Sequence, residues 1–425
     1  MSFKLKLFQS CFVVLNITAI SLATVNAAEW KIEPGINMNL QYNDNVRMRA
    51  DNNNPEGSTG FTLDPRVKFA GEEQRVWDVA IDARGRITRF QDIEDGDNEN
   101  AFFVFDGGRQ TERSDWRLNT SYERNSNFDT DFDTENPDAG LLDDYTERKT
   151  ASISPSVSWS SSETSQLSFS FNSTNVTYDE KTNLNYQNYD YDSLQFVAYW
   201  LVAENHQLGF TSSYAEYDSP EANFSYDQAI FQIDYTYAIN QISNVSLSVG
   251  GRRLNSVLED GQIVGCAFAD EFETFGGCPV SQDPVFADVE NEEDGTVVNL
   301  SYRSNSETVR HNFTAGRTVK PSSFGGAQEL RNASYKFSVI HTERFSTKLI
   351  LDASETETIS NTDSSNDRAR YRVEPSVSYK LNRDWNLKFL YRYIQQDYTN
   401  SDRDGTSNAV FINLFLHWPK LATTY

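Results

Sequence analysis

From Ile32 onward the chain places an apolar side chain at every second position, segment after segment, with Ser, Asn, Asp, Arg or Lys between. The series Ile32, Pro34, Ile36, Met38, Leu40 is one case. Others are Leu63, Pro65, Val67, Phe69; Trp77, Val79, Ile81, Ala83; Phe231, Ile233, Tyr235, Tyr237; and Ile412, Leu414, Leu416, Trp418. A period of two is the period of a strand whose faces meet different surroundings. No comparable helical periodicity competes with it. The alternation suits a membrane barrel wall, but a soluble β-sandwich shows it too.

The links between these segments separate the two. Gly71 to Gln74, Thr111 to Arg113, Ser161 to Thr164, Glu204 to Asn205, Ala238 to Ser243, Ser304 to Ser306, Thr342 to Arg344 and Leu381 to Asp384 are short. They alternate with the mostly long, polar Arg47 to Gly60, Gln91 to Glu99, Asn125 to Glu147, Asp179 to Gln187, Ser219 to Asn223, Asn255 to Asp294, Lys320 to Arg331, Thr358 to Asp367 and Thr399 to Thr406. A sandwich has no reason to sort its loops by parity, whereas an outer-membrane barrel has tight periplasmic turns and long outer loops. The expected fold is therefore all-β, a closed antiparallel transmembrane β-barrel of roughly eighteen strands with both termini periplasmic. Tryptophan favours a membrane interface, since its ring is apolar and its N–H seeks water. Trp30, Trp77, Trp116, Trp159, Trp200, Trp385 and Trp418 all fall beside a short link or a terminus, and this predicts one periplasmic girdle.

The first residues carry Lys4 and Lys6, an apolar run around Phe12 to Leu22, and small residues at Ala27 and Ala28. That is the layout of a secretory signal peptide, so residues 1–28 are read as a leader and 29–425 as one barrel domain. Past Ala28 no apolar stretch approaches the ~18 residues a membrane-spanning helix needs. The formal charge is −25, and −27 once Lys4 and Lys6 leave, which argues against nucleic acid or anionic surfaces as partners. Cys266 and Cys278, the cysteines left after processing, are expected to pair in the oxidising periplasm; two free thiols are the alternative.

An ungapped repeat runs through the chain. Ile153, Pro155, Val157 and Trp159 lead to Leu167, Phe169, Phe171 and Tyr178; Val373, Pro375, Val377 and Tyr379 lead to Leu387, Phe389, Tyr391 and Tyr398 at the same spacing. Leu63 to Phe69 followed by Trp77 to Ile81 is a third copy. Proline cannot donate to a ladder, and a closed barrel has no edge to put it on, so bulges are expected at Pro65, Pro155 and Pro375. These hairpins resemble a family of outer-membrane β-barrel porins whose members often accompany exopolysaccharide export systems. The opening segment that ends Tyr42-Asn43-Asp44-Asn45-Val46 and the closing Phe411 to Trp418 strand share the likeness. The resemblance implies an outer-membrane location, lipid and lipopolysaccharide as surroundings, polysaccharide export machinery as a partner, and neither cofactor nor catalytic residue.

If the apolar positions face lipid, the residues between them face the lumen. Arg84, Arg86, Arg370, Arg372, Lys388 and Arg392 then form a basic cluster on the inner wall, fit to guide anionic solutes or an acidic glycan. The alternative is that these cations pair with acids on neighbouring strands and only keep the lumen wet. Asp129, Asp131, Asp133 and Glu135, with Asp138 beyond, alternate as in a calcium loop, but Thr134 stands where that loop requires glycine; a solvated acidic loop is favoured. His206, His311, His341 and His417 are the histidines, and none is spaced with a serine to suggest a barrel hydrolase. The chain is thus read as a porin-like channel for hydrophilic solutes, an exopolysaccharide among them, and not as an enzyme. Asn125 to Glu147 and Asn255 to Asp294 are the expected constrictions. The rival reading is a barrel plugged by its own loops that serves as a surface scaffold or adhesin.

Overall fold

The computed structural model describes residues 29–73, 76–93, 96–126, 146–179, 186–266, 284–359, 367–399, 403–418 and 423–424. Residues 1–28, read above as a signal peptide, the acidic residues Asp129, Asp131, Asp133 and Glu135, and Cys278 lie outside them. In chain order the strands are β1 (Glu29–Asn43), β2 (Ser58–Glu73), β3 (Trp77–Phe90), β4 (Asn98–Gln110), β5 (Ser114–Ser126), β6 (Glu147–Ser162), β7 (Ser165–Tyr178), β8 (Tyr189–Ala203) and β9 (His206–Ser219). They continue as β10 (Phe224–Asn240), β11 (Ser243–Cys266), β12 (Pro284–Asn305), β13 (Val309–Ser322), β14 (Gly326–Ile340), β15 (Phe345–Thr358), β16 (Arg368–Lys380), β17 (Trp385–Tyr398) and β18 (Gly405–His417). Each pairs antiparallel with its sequence neighbours, and β1 pairs with β18 from Gly35↔His417 to Asn43↔Ala409. The sheet is a closed barrel of eighteen strands. A two-residue β19 (Thr423–Thr424) adds to the start of β1.

Up to the level of Val298 and Arg317 closure leaves no strand edge, which is what allows a sheet to sit in hydrocarbon where no water can satisfy a free N–H. The alternation falls as expected. On β16, Tyr371, Val373, Pro375, Val377 and Tyr379 are exposed on the outer face while Arg368, Arg370, Glu374 and Ser376 are buried inside. All seven tryptophans lie on the outward register at the end of the barrel that carries the short turns. Trp30 stacks on Phe69 at 5.1 Å and meets Trp77 at 5.6 Å. A closed eighteen-strand antiparallel barrel with an apolar outer belt is a protein of the Gram-negative outer membrane.

Where β1 ends, side chains take over from the backbone ladder. The Asp44 carboxylate accepts from the Asn408 N–H at 2.6 Å and from its Nδ2 at 2.8 Å. Asn43 Oδ1 accepts from Ser407 Oγ at 2.7 Å, and Asn45 Nδ2 donates to the Thr406 carbonyl at 2.9 Å. The Tyr42–Val46 motif is therefore a clasp on the closure seam.

Three sequence expectations are corrected. Pro65, Pro155 and Pro375 make no bulge. The register between β2 and β3 is the same on both sides of Pro65, and so it is around Pro155 between β6 and β7 and around Pro375 between β16 and β17. In an antiparallel ladder a residue's N–H points at only one neighbour. The proline ring therefore deletes a rung toward that strand while the other side stays paired, as Ile36↔Pro65, Leu118↔Pro155 and Leu349↔Pro375 show. Second, Asn255 to Asp294 is not all loop: β11 and β12 run on as a two-stranded ribbon to Cys266↔Pro284. Third, Lys320 to Arg331 is a tight hairpin, Ser322↔Gly326, whose tip residue Gly325 has φ +76°, open to glycine.

Candidate channel lumen

The wall divides at β12 and β13. Their pairing stops at Val298↔Arg317, although each strand continues with its other neighbour. Above that level the β13–β14 hairpin turns into the lumen. Val319 and Ala327, on its outward register, are buried against the lumen-facing Val176, Tyr178, Tyr189, Tyr217, Tyr226 and Leu254 of β7 to β11. The Gln187 N–H donates to the Ser323 carbonyl at 2.7 Å, and the Tyr217 hydroxyl donates to the Ser322 carbonyl at 3.1 Å. Tyr186 stacks between Tyr178 at 4.8 Å and Phe324 at 5.2 Å.

Charge locks the hairpin in place. Glu329, 2 % exposed, accepts from Arg252 of β11 at 3.0 Å and from Arg317 and Arg331 of its own hairpin at 2.7 and 2.9 Å. Arg252 is 1 % exposed and also reaches Glu293 at 2.8 Å. A carboxylate this enclosed is held ionised only by such donors. The half of the lumen beside β7 to β11 is thereby filled at its outer end.

The half beside β16 to β18 and β1 to β3 holds two adjoining cavities of ≈ 340 and ≈ 490 Å³, with Asn37, Asp64, Arg86 and Phe415 common to both. Its outer mouth is narrowed by the β1–β2 loop, where Val46 and Met48 pack on Ile93 and on the lumen-facing Ile394. Among the described residues this loop and the β13–β14 hairpin turn inward. Of the predicted constrictions, Asn255 to Asp294 runs as the ribbon as far as Cys266 and Pro284, its tip lying outside the described residues, and Asn125 to Glu147 lies largely outside them.

All six members of the predicted basic cluster sit on the lumen register, but they do not form one site. Arg84, Arg86, Lys388 and Arg392 line the two cavities. Arg370 is buried on β16, and Arg372 pairs with Asp352 of β15. Arg66 and Lys68 of β2 join the cavity group. Asp64 reaches Arg84 at 3.6 Å and Arg86 at 3.4 Å, while Glu374 accepts from Arg392 at 2.9 Å. Two phenylalanines that alternation alone did not single out back these cations. The Arg84 guanidinium lies 4.0 Å from the Phe102 ring centre, and that of Arg392 lies 4.7 Å from Phe411. A ring face attracts a cation and keeps the guanidinium extended into the lumen. Lys388 makes no ion pair among the described residues. Six cations (Arg66, Lys68, Arg84, Arg86, Lys388, Arg392) therefore face three acids (Glu33, Asp64, Glu374) across the cavities.

Three of the four histidines have tyrosine or threonine partners. His206 Nδ1 meets the Tyr235 hydroxyl at 2.6 Å, His311 Nδ1 the Tyr335 hydroxyl at 2.8 Å, and His341 Nε2 the Thr347 hydroxyl at 2.9 Å. Among the described residues no cluster of three His, Cys, Asp or Glu groups converges on a point that suits a metal.

No family model and no curated protein matches the chain. Solved outer-membrane structures are similar at low identity. Acinetobacter baumannii OccAB2 shares 11% identity at a TM-score of 0.46, over 92% of this chain and 98% of that one. Pseudomonas aeruginosa OpdQ shares 10% at 0.44, over 92% and 98%. The ferric-catecholate import receptor Fiu of Escherichia coli K12 shares 8% at 0.48, over 90% and 81%. Likeness at this level carries no substrate across.

Proposed function

We propose that the protein is a porin-like outer-membrane channel that favours anionic hydrophilic solutes. One observation carries the reading: the open half of the lumen has twice as many cations as acids along its cavities, in a protein whose formal charge is −25. A low-dielectric wall that focuses one sign of charge raises the local concentration of the opposite ion. The cross-strand pairs at Asp64 and Glu374, and that of Arg66 with Asp82 of β3 beside the cavities, support the keep-wet alternative, but among the described residues they leave Lys388 and Lys68 outside any such pair. The wide solute class includes an acidic glycan, for which the resemblance to export-associated porins is the motive. The signal peptide, the Cys266–Cys278 disulfide and the periplasmic tryptophan girdle belong to the same reading of an exported barrel.

Planar-bilayer recording tests it. Steady single-channel steps with an anion-favouring reversal potential are expected under a salt gradient. Lys388→Glu with Arg86→Glu should move that potential toward cations, because each change reverses a charge on the cavity wall. Silence from a barrel shown to be folded by heat-modifiable gel mobility would leave the scaffold or adhesin reading in its place.

A further inference from the structure

The closure seam has a chemistry of its own. On the lumen face of β1 every residue from Asn37 to Asn43 is an amide: Asn37, Asn39, Gln41 and Asn43. Asn43 is consumed by the clasp, where its Oδ1 accepts from Ser407. Asn37 and Asn39 are not. Their side-chain Oδ1 atoms are buried and have no hydrogen-bond partner, and both residues line the ≈ 340 Å³ cavity. Across the seam Asn39 pairs with Asn413, and the same face of β18 carries Phe411 and Phe415 on either side of that amide. Arg86 stands at one edge of this strip and Lys388 at the other.

Donor and acceptor bookkeeping then decides what fits. Lys and Arg offer donors only, which suits any carboxylate, sulfate or phosphate. Such groups are acceptors and give nothing to the two amide oxygens. A hydroxyl donates and accepts, so it answers the Oδ1 atoms of Asn37 and Asn39, which a bare anion does not. Along a strand these two residues stand about 6.8 Å apart, a span that hydroxyls on a six-carbon chain can bridge. Phe411 and Phe415 add apolar lining for the C–H groups that such a chain carries between its hydroxyls.

We infer that Asn37, Asn39 and Asn413, flanked by Phe411 and Phe415, form a subsite for the hydroxyls of a polyhydroxylated organic anion. The anionic half of this statement rests on the anion-favouring channel proposed above; the hydroxyl half rests on the amide oxygens.

Saturation-transfer NMR on the full folded barrel in micelles, with protein-free micelles as the blank, separates the two halves. Three probes are used: gluconate, which has hydroxyls and charge; hexanoate, which has charge and the same chain length; and glucose, which has hydroxyls alone. Gluconate should bind about tenfold more tightly than hexanoate, the equivalent of one or two net hydrogen bonds. It should also exceed glucose. In N37L/N39L the advantage over hexanoate should vanish, while the anion preference in bilayers, set by the unchanged Arg and Lys, stays as in the parent. Equal binding of gluconate and hexanoate by the parent barrel would overturn the subsite even if anion selectivity is found. Loss of anion selectivity with the gluconate-over-hexanoate margin intact would overturn the channel reading and leave the subsite standing. The parent comparison needs no variant, so a misfolded N37L/N39L does not blunt the test.

Discussion

Asp44 shows what a single residue contributes where the backbone ladder runs out. Its carboxylate replaces two rungs between β1 and β18, so Asp44→Ala should cost about 1.5–3 kcal/mol, the range for hydrogen bonds to a charged group. Urea unfolding in micelles, followed by gel mobility, measures this. Asn408→Ala, which removes the partner's side chain but not its N–H, should cost less. Proline at 375 gives the opposite case. Pro375→Val restores a donor toward β17, a gain of about 0.5–1.5 kcal/mol, and returns roughly 0.4–1 kcal/mol of unfolded-chain entropy that proline had removed. The two nearly cancel, and the same unfolding assay should place this variant within about 1 kcal/mol of the parent. A large loss would mean that the proline is needed for the strand's course and not merely tolerated.

At the scale of the element, the β13–β14 hairpin decides how much of the barrel is open. Its seat combines rings from β7 to β11 with one buried ion pair, Arg252–Glu329. Breaking a buried pair by removing one partner costs about 3–5 kcal/mol, and Glu329→Gln leaves the enclosed Arg252 with only the partly exposed Glu293, so Glu329→Gln alone should unseat the hairpin. Single-channel conductance should then rise as the filled half of the lumen opens. Arg252→Met with Glu329→Gln removes both charges and should recover most of the stability and most of the parent conductance. Neither the hairpin nor its seat was visible in the primary structure. Val319, Ala327 and Glu329 fall on the outward register, where alternation assigns them to lipid. They are buried because the hairpin leaves the wall above Arg317 and lays that face against the inside of other strands. The extension of β11 and β12 was likewise hidden, since its acidic run from Asp288 to Asp294 reads as loop until Arg253 is seen to pair with Glu292 at 3.1 Å and Asp294 at 2.9 Å.

For the molecule as a whole, the turn lengths predict the orientation. In a Cys266→Ser, Cys278→Ser background, a membrane-impermeant thiol reagent added to intact cells should label Asn53→Cys in the β1–β2 loop and spare Arg113→Cys in the β4–β5 turn. The reverse pattern would invert the barrel. The strand count, closure and outward faces were legible in the sequence, because each depends on local periodicity and link length, which a chain carries without knowing its distant neighbours. The basic wall was legible in part. Alternation put Arg84, Arg86, Lys388 and Arg392 on the lumen face, but which of them share a cavity depends on how β1 meets β18 and brings β3 near β17. The same closure exposes Asn37 and Asn39 to Asn413. Alternation specifies which way each side chain points. What it points at, and where the lumen stays open, is fixed only when the two ends of the chain pair and one hairpin folds inward, since those contacts join residues hundreds of positions apart and leave no periodic trace.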